Sequence, residues 1–224
     1  MQLFRQVDLI KKFSFHAGLI GVVFFALTGC SPKFFSGLES AGTKKNISKQ
    51  ELYPVFKAED SVRLFNMQID YKEKNLTGLL IVQPEENGFM RAIFTTLFGM
   101  TIFDFSFDET EFRINRCMEQ MQKKMVLKLL KKDFRTLFLY NVPSFFDAKV
   151  YERKTIAGYK IKTKDGKGYF LTNKTGKQLQ KIEMPGCITL LRLDYQDYNN
   201  TFPERIQLSH PKIKLSMQLD KIEQ

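Results

Sequence analysis

Apolar and polar residues alternate with a period of two along much of the chain. The clearest case is 212–219, where every odd position is apolar and every even position is polar. The same period places Phe103, Phe105 and Phe107 on one face of another predicted strand. Stretches rich in glycine, asparagine and acidic residues, such as 85–88, 164–166 and 173–176, separate these runs. The pattern therefore predicts a mainly β fold of short antiparallel strands joined by tight turns.

One segment repeats with the period of a helix instead. Its apolar face carries Met118, Met121, Met125 and Leu129, with lysines largely opposite, whereas Leu127 fits this face poorly. We predict a helix over 118–139 that ends before Pro143. The methionine-rich face either packs as ordinary core or forms an adaptable lid over a ligand.

The first thirty residues form a separate element. Three basic residues precede the 11-residue segment 17–27, which is shorter than the roughly 20 apolar residues that span a bilayer. A charged start, a short apolar run and small residues are the parts of an export signal. The ending Leu27-Thr28-Gly29-Cys30 resembles the lipobox of bacterial lipoproteins. The resemblance implies cleavage before Cys30 and acylation of that residue.

These signals divide the chain into three parts. Residues 1–29 are the predicted signal peptide, 30–50 hold the lipidated Cys30 and a flexible tether, and 51–224 form one domain. The residue after Cys30 is Ser31 rather than aspartate, and no acidic run follows. By resemblance to the lipoprotein sorting rule, this favours an outer-membrane anchor with the domain on the periplasmic face.

Charge restricts the choice of partners. Loss of residues 1–29 would lower the formal net charge from +11 to +9, since three basic residues and Asp8 leave. An exported basic chain meets anionic lipid head groups or acidic proteins rather than nucleic acid. The lysine excess is alternatively a solvated surface that keeps the protein soluble.

Residues that could carry chemistry are sparse. His210 is the one histidine beyond residue 29, which excludes a multi-histidine metal site, and its position before Pro211 predicts a surface location. Asp104, Asp108 and Glu111 are expected to be solvated turn carboxylates. Cys117 and Cys187 either pair in an oxidising compartment or remain free thiols. We therefore expect no enzymatic activity, no catalytic residue, no metal and no cofactor.

The order of segments resembles the LolA and LolB family of lipoprotein carriers and receptors. Predicted strands at 62–71, 76–83, 89–97 and 100–107 precede the basic helix, and a Pro203-x-x-Ile206 strand follows it. The resemblance covers about 60–222, with its strongest points at 77–81 and 97–101. It implies an incomplete, strongly curved antiparallel β-barrel whose apolar hollow is covered by helices and accepts acyl chains. A lipidated start favours the LolB branch, although the chain lacks the tryptophan usual near the LolB C-terminus.

The resemblance also implies site residues. The acyl-binding cavity would lie on the inward face of the sheet, lined by Phe65, Met67, Ile93, Phe103, Phe105, Leu190, Ile206, Leu208, Ile213 and Leu215. In LolB an exposed apolar residue before a glycine touches the membrane, and Phe98 before Gly99 matches that position. Leu97 and Phe98 are either such a contact or residues folded back into the core.

Two functions follow from these observations. One is a lipid or lipoprotein binder that holds acyl chains and hands them to the outer membrane. The other is a structural or assembly lipoprotein that holds an envelope protein partner at the membrane. An empty apolar space of several hundred Å³ in the interior would favour the first.

Overall fold

The computed structural model describes residues 33–57, 61–186 and 189–223. The chain divides into two compact units, Met1–Ser36 and Gly37–Gln224. The described part of the first unit contains a 3-10 turn, Lys33–Phe35. Cys30, the predicted site of acylation, and Cys187, the predicted partner of Cys117, lie outside the described residues.

The second unit is built on one antiparallel sheet. Within the described residues its thirteen strands are β1 (Glu39–Ser48), β2 (Arg63–Tyr71), β3 (Lys74–Pro84), β4 (Met90–Thr96), β5 (Thr101–Phe107), β6 (Phe112–Cys117), β7 (Phe145–Arg153), β8 (Ile156–Thr163), β9 (Gly166–Asn173), β10 (Gln178–Pro185), β11 (Leu190–Asn199), β12 (Phe202–His210) and β13 (Leu215–Lys221). Their order is β1-β7-β8-β9-β10-β11-β12-β13-β2-β3-β4-β5-β6.

The sheet is curved and does not close, because β1 and β6 each have a strand on one side only. Strand twist accumulates over so many strands and bends the sheet around its apolar face. This architecture confirms the predicted incomplete barrel. The four predicted strands that precede the helix agree with β2 to β5 to within a few residues.

The sheet has an inner face that is buried and an outer face that is largely wet. Along β2, β4 and β13, buried and partly exposed residues alternate. Strand β5 differs, since its last six residues are buried on both faces. The inner face supplies most of the single hydrophobic core.

The α-helix of the described residues, α1, spans Lys124–Leu137 and packs on the inner face through Leu130, Phe134 and Leu137. It begins later than predicted, because Met118 has extended backbone and its N–H donates to Ile102 O of β5 at 2.8 Å. A 3-10 turn, Glu119–Met121, joins β6 to the helix.

The predicted methionine face of α1 is partly wrong. Met125 lies nine residues before Phe134, which is half a turn around the helix, and it is 78% exposed. Leu127, which fitted the predicted face poorly, packs against the core instead, as do Met118, Met121 and Leu129.

The predicted tether also differs from the structure. Within 30–50, residues Glu39–Ser48 form strand β1, which pairs with β7 through two register shifts. Most of β1 is exposed. A strand that is wet on both faces has no apolar alternation, so the hydrophobic pattern could not indicate it.

Candidate functional site

Most residues predicted to line a cavity do lie on the inner face. The buried ones are Phe65, Met67, Phe103, Phe105, Ile206, Leu208 and Leu215. Ile213 is half-buried against the core in a 3-10 turn, Pro211–Ile213, that precedes β13. The inward orientation predicted for Ile93 and Leu190 is wrong, because their neighbours Ala92, Phe94 and Leu191 occupy the inner face.

Aromatic side chains fill the space between α1 and the sheet. The rings of Phe103 and Phe105 stack with centroids 4.7 Å apart. Phe134 of α1 approaches Phe103, Phe105 and Phe107 with centroid distances of 5.7, 6.1 and 5.5 Å. One turn after Phe134, at the C-terminal end of the helix, Phe138 stacks on Phe56 with ring centroids 4.4 Å apart. The helix therefore supplies the groups that occupy the inner face.

Phe107, Phe134 and Phe138 belong to this cluster, although they are not among the residues predicted to line the cavity. Phe107 continues the alternation of Phe103 and Phe105, so that signal was present. Predicting Phe134 would have required the correct buried face of the helix. That face contains Leu130 and Leu137 rather than the methionines.

A cavity of about 340 Å³ lies elsewhere in the described structure. It opens between the start of β2 and the end of β13, and its lining is Ser61, Val62, Arg63, Leu64, Lys221, Ile222 and Glu223. This lining is too polar for the acyl-binding hollow that the resemblance implied.

A buried polar pair fastens α1 to the sheet. His210 of β12 and Asp133 of α1 are almost fully inaccessible, and His210 Nε2 lies 3.0 Å from each carboxylate oxygen of Asp133. Burial raises the pKa of Asp133, while the hydrogen bond to His210 opposes that rise. The predicted surface location of His210 is wrong, because the side chain is fully buried. The sequence pattern could not show this, since the partner lies 77 residues away.

The turn between β4 and β5 points apolar side chains into solvent. We call residues 97–100 the tip; Leu97 is 78% exposed, Phe98 100% and Met100 55%. Gly99 has a φ of +79°, which glycine adopts without strain. Backbone N–H groups of Thr96 and Gly99 donate to Met100 O and Thr96 O, each at 2.9 Å. The tip is thus an ordered turn, and the alternative in which Leu97 and Phe98 fold into the core is wrong.

The acidic residues of β5 and the following turn are engaged within the fold. Asp104 is buried and accepts two hydrogen bonds from Arg91, at 2.9 and 2.6 Å, which hold its pKa below the ordinary value. Its predicted solvated position is therefore wrong. Asp108 Oδ1 accepts the N–H groups of Thr110 and Glu111, as expected of a turn carboxylate.

The described residues hold no group of three or more histidine, cysteine, aspartate or glutamate side chains that could hold a metal ion. Cys117 has a free thiol there, and burial raises its pKa. The described residues also contain no helix long and apolar enough to cross a membrane.

Comparison with known proteins gives structural neighbours only. No family model and no curated sequence matches the chain. A LolA superfamily protein from Nitrosomonas europaea is similar with a TM-score of 0.48 and 10% identity, over 78% of this chain and 89% of that one.

Two further solved structures are similar at the same level. A domain from Vibrio parahaemolyticus, named for outer membrane lipoprotein sorting, gives a TM-score of 0.48 and 8% identity over 78% of this chain and 88% of its own. A DUF1329 family protein from Desulfovibrio piger gives 0.43 and 11% over 74% and 86%. At such identities the similarity concerns the fold and carries no function to this chain.

Proposed function

We propose that the protein is a lipid- or lipoprotein-binding lipoprotein of the bacterial envelope that touches a membrane through the tip and takes acyl chains onto the inner face. The observation that carries the proposal is the complete exposure of Phe98 on an ordered turn. Full insertion of an exposed phenylalanine into lipid contributes about 1.5–3 kcal/mol, which suits reversible contact. The acyl anchor at Cys30 and the outer-membrane, periplasm-facing location remain part of this proposal.

Acyl binding in this account requires α1 to move. Leu130, Phe134 and Leu137 lose roughly 1.5–3 kcal/mol each when they leave the inner face, together about 5–9 kcal/mol. A sixteen-carbon chain gains about 12 kcal/mol when it leaves water, whereas an eight-carbon chain gains about 6 kcal/mol. Separating Asp133 from His210 adds about 3–5 kcal/mol to this cost, so a sixteen-carbon chain comes close to offsetting the displacement, whereas an eight-carbon chain does not.

The helix is suited to such a displacement because its attachment is local. It is held by one apolar stripe, by the buried pair of Asp133 with His210 and by one hydrogen bond from Arg135 to Glu109 O, while its other face is lysine-rich and wet. Moving α1 leaves all strand pairings of the sheet intact.

The test is photocrosslinking of the full chain with a palmitic acid that carries a diazirine. We expect labelled peptides from β5 and α1 and none from outer-face positions such as Lys181. An octanoic acid probe should label these peptides at least ten-fold less. Equal labelling by both probes, or labelling spread over the whole surface, would contradict acyl binding on the inner face.

A matched variant separates the two parts of the proposal. Phe98→Glu should abolish membrane contact and leave the labelling of β5 and α1 unchanged, because the tip projects away from the inner face. Loss of labelling in this variant would mean that the probe had entered through the tip.

The second candidate is a structural or assembly lipoprotein that holds a protein partner. The filled aromatic interior favours it, since Phe103, Phe105 and Phe134 already occupy the space that a ligand needs. It predicts no inner-face labelling by either probe in a chain that stays folded.

A further inference from the structure

Three other chain connections lie beside the tip, at the same end of β13 and of strands β2 to β6. Strands β2 to β6 follow each other in an antiparallel meander, so the β2–β3 turn, the tip and the end of β6 share one end. The β12–β13 connection joins them, because Lys72 N donates to Lys214 O at 3.1 Å. We call this the tip end, formed by 72–74, 97–100, 118–124 and 211–214.

Lysines surround the exposed apolar residues at the tip end. All six of its lysines are exposed: Lys72, Lys74, Lys123, Lys124, Lys212 and Lys214. Glu73 and Glu119 are its two acidic residues, which leaves four uncompensated positive charges. Across the described residues, none of these six lysines has a carboxylate within ion-pair distance, in contrast to Lys44, Lys49 and Lys221.

Two of these lysines occupy positions that do not favour folding. Lys123 and Lys124 begin α1, whose first turn contains no acidic residue. The amino end of a helix carries a partial positive charge, so a cation there is unfavourable. Their position is understandable if an external negative surface approaches this end of the molecule.

We propose that the tip end is a docking surface for bilayers that contain anionic phospholipid, and that the lysines select such bilayers over neutral ones. The inference rests on the proposed membrane contact of the tip and adds the head-group class. Leu97 and Phe98 enter the apolar layer, while the surrounding ammonium groups remain at the level of the phosphates. Each basic residue near an anionic surface adds to the attraction.

The geometry favours a bilayer over an acidic protein. An anionic bilayer offers a flat field of charge above an apolar layer, which matches an apolar projection ringed by unpaired cations. The lysines reach the tip end from three separate connections, so they lie around the tip rather than along the line that a single acidic peptide would contact.

The test uses the absence of tryptophan from the chain. In the full-length protein, Phe98→Trp gives a reporter at the tip, whose emission shifts to the blue when it enters lipid. Vesicles of phosphatidylcholine are compared with vesicles that contain one-quarter phosphatidylglycerol. We expect half-maximal shift at a lipid concentration at least ten-fold lower with the anionic vesicles, and a loss of that difference in high salt.

The charge variant is Lys123→Glu/Lys124→Glu in the same reporter chain. It should abolish the preference for anionic vesicles while the fold is retained, since acidic residues favour a helix start. The matched control is Lys162→Glu/Lys167→Glu, an exposed cross-strand pair on β8 and β9 with the same change in net charge. This control should keep the preference.

Each other outcome has a definite meaning. Equal response to neutral and anionic vesicles would overturn the inference and leave the proposed membrane contact standing. A normal preference in Lys123→Glu/Lys124→Glu, or an equal loss in the control, would overturn a specific role for the tip-end lysines. No shift in either vesicle would overturn both the inference and the tip contact, and the crosslinking experiment would still decide acyl binding.

Discussion

The two ends of the β2–β6 meander carry opposite charges, and they differ in how those charges are used. The acidic end is formed by 85–89 and 108–111. There Glu109 Oε1 lies 2.6 Å from Lys49 Nζ, and Glu111 Oε2 lies 2.8 Å from Arg113 Nη2. Asp108 accepts two backbone N–H groups of its own turn. At the tip end the lysines have no carboxylate partner among the described residues, and Phe98 is fully exposed.

The difference teaches which charges maintain the fold and which are available to a partner. Groups of the acidic end close turns and tie them to Lys49, which follows β1, and to α1, as when Arg135 donates to Glu109 O at 3.1 Å. Their removal should therefore change stability. The lysines of the tip end have no carboxylate partner among the described residues, so their removal should change binding more than stability.

The largest expected effect concerns Asp133, the most buried of the charged groups that have a partner within the fold. Asp133→Ala leaves His210 without its only described partner and should lower the free energy of unfolding by about 3–5 kcal/mol, measured by denaturant titration. Asp133→Asn is the matched control, since its amide oxygen can still accept from Nε2, and it should cost less. A loss below about 1 kcal/mol in Asp133→Ala would show that the pair does not hold α1 on the sheet.

A smaller effect is expected from Asp104, and it depends on pH. Because Arg91 lowers its pKa in the folded state, Asp104 contributes stability above its ordinary pKa of about 4 and loses it as pH falls through the lowered value. The contribution is about 1–2 kcal/mol, since the Arg91 side chain is one-third exposed. Unfolding free energies between pH 6 and pH 2 should fall more steeply for the wild type than for Asp104→Asn. Parallel curves would contradict the assignment.

The smallest stability effect belongs to the tip. Phe98→Ser should change the free energy of unfolding by less than about 0.5 kcal/mol, because the ring touches solvent alone. Its neighbour on β4, Phe94, is fully buried, and Phe94→Ser should lose several kcal/mol. A destabilised Phe98→Ser would place Phe98 among the core residues and erase the contrast between the two ends.

Sequence periodicity predicted the sheet well where the outer face is polar. It erred where two apolar residues are adjacent, at Ile93-Phe94 and Leu190-Leu191, because one residue of register decides which side chain faces inward. It placed Ile213 in a strand because the alternation continues through it, whereas Pro211 begins a 3-10 turn there.

Contacts between residues that are far apart in the chain cannot be predicted from hydrophobic periodicity. The partner of His210 is on α1, and β1 is recognised only by its pairing with β7. The exposure of Phe98 likewise depends on the turn that β4 and β5 impose, while the pattern left two orientations open. The charges of the tip end were visible as residues, but their grouping required the order of the strands.

The measurement that tests the account most directly compares one tryptophan at each end of the meander. Phe98→Trp reports on the tip end and Phe89→Trp on the acidic end, where Arg113 covers the ring of Phe89 at 4.2 Å. Both full-length proteins are mixed with anionic vesicles whose acyl chains carry a nitroxide quencher. The account predicts strong quenching of Trp at position 98 and none at position 89. Equal quenching at both positions, or quenching at 89 alone, would contradict membrane contact through the tip.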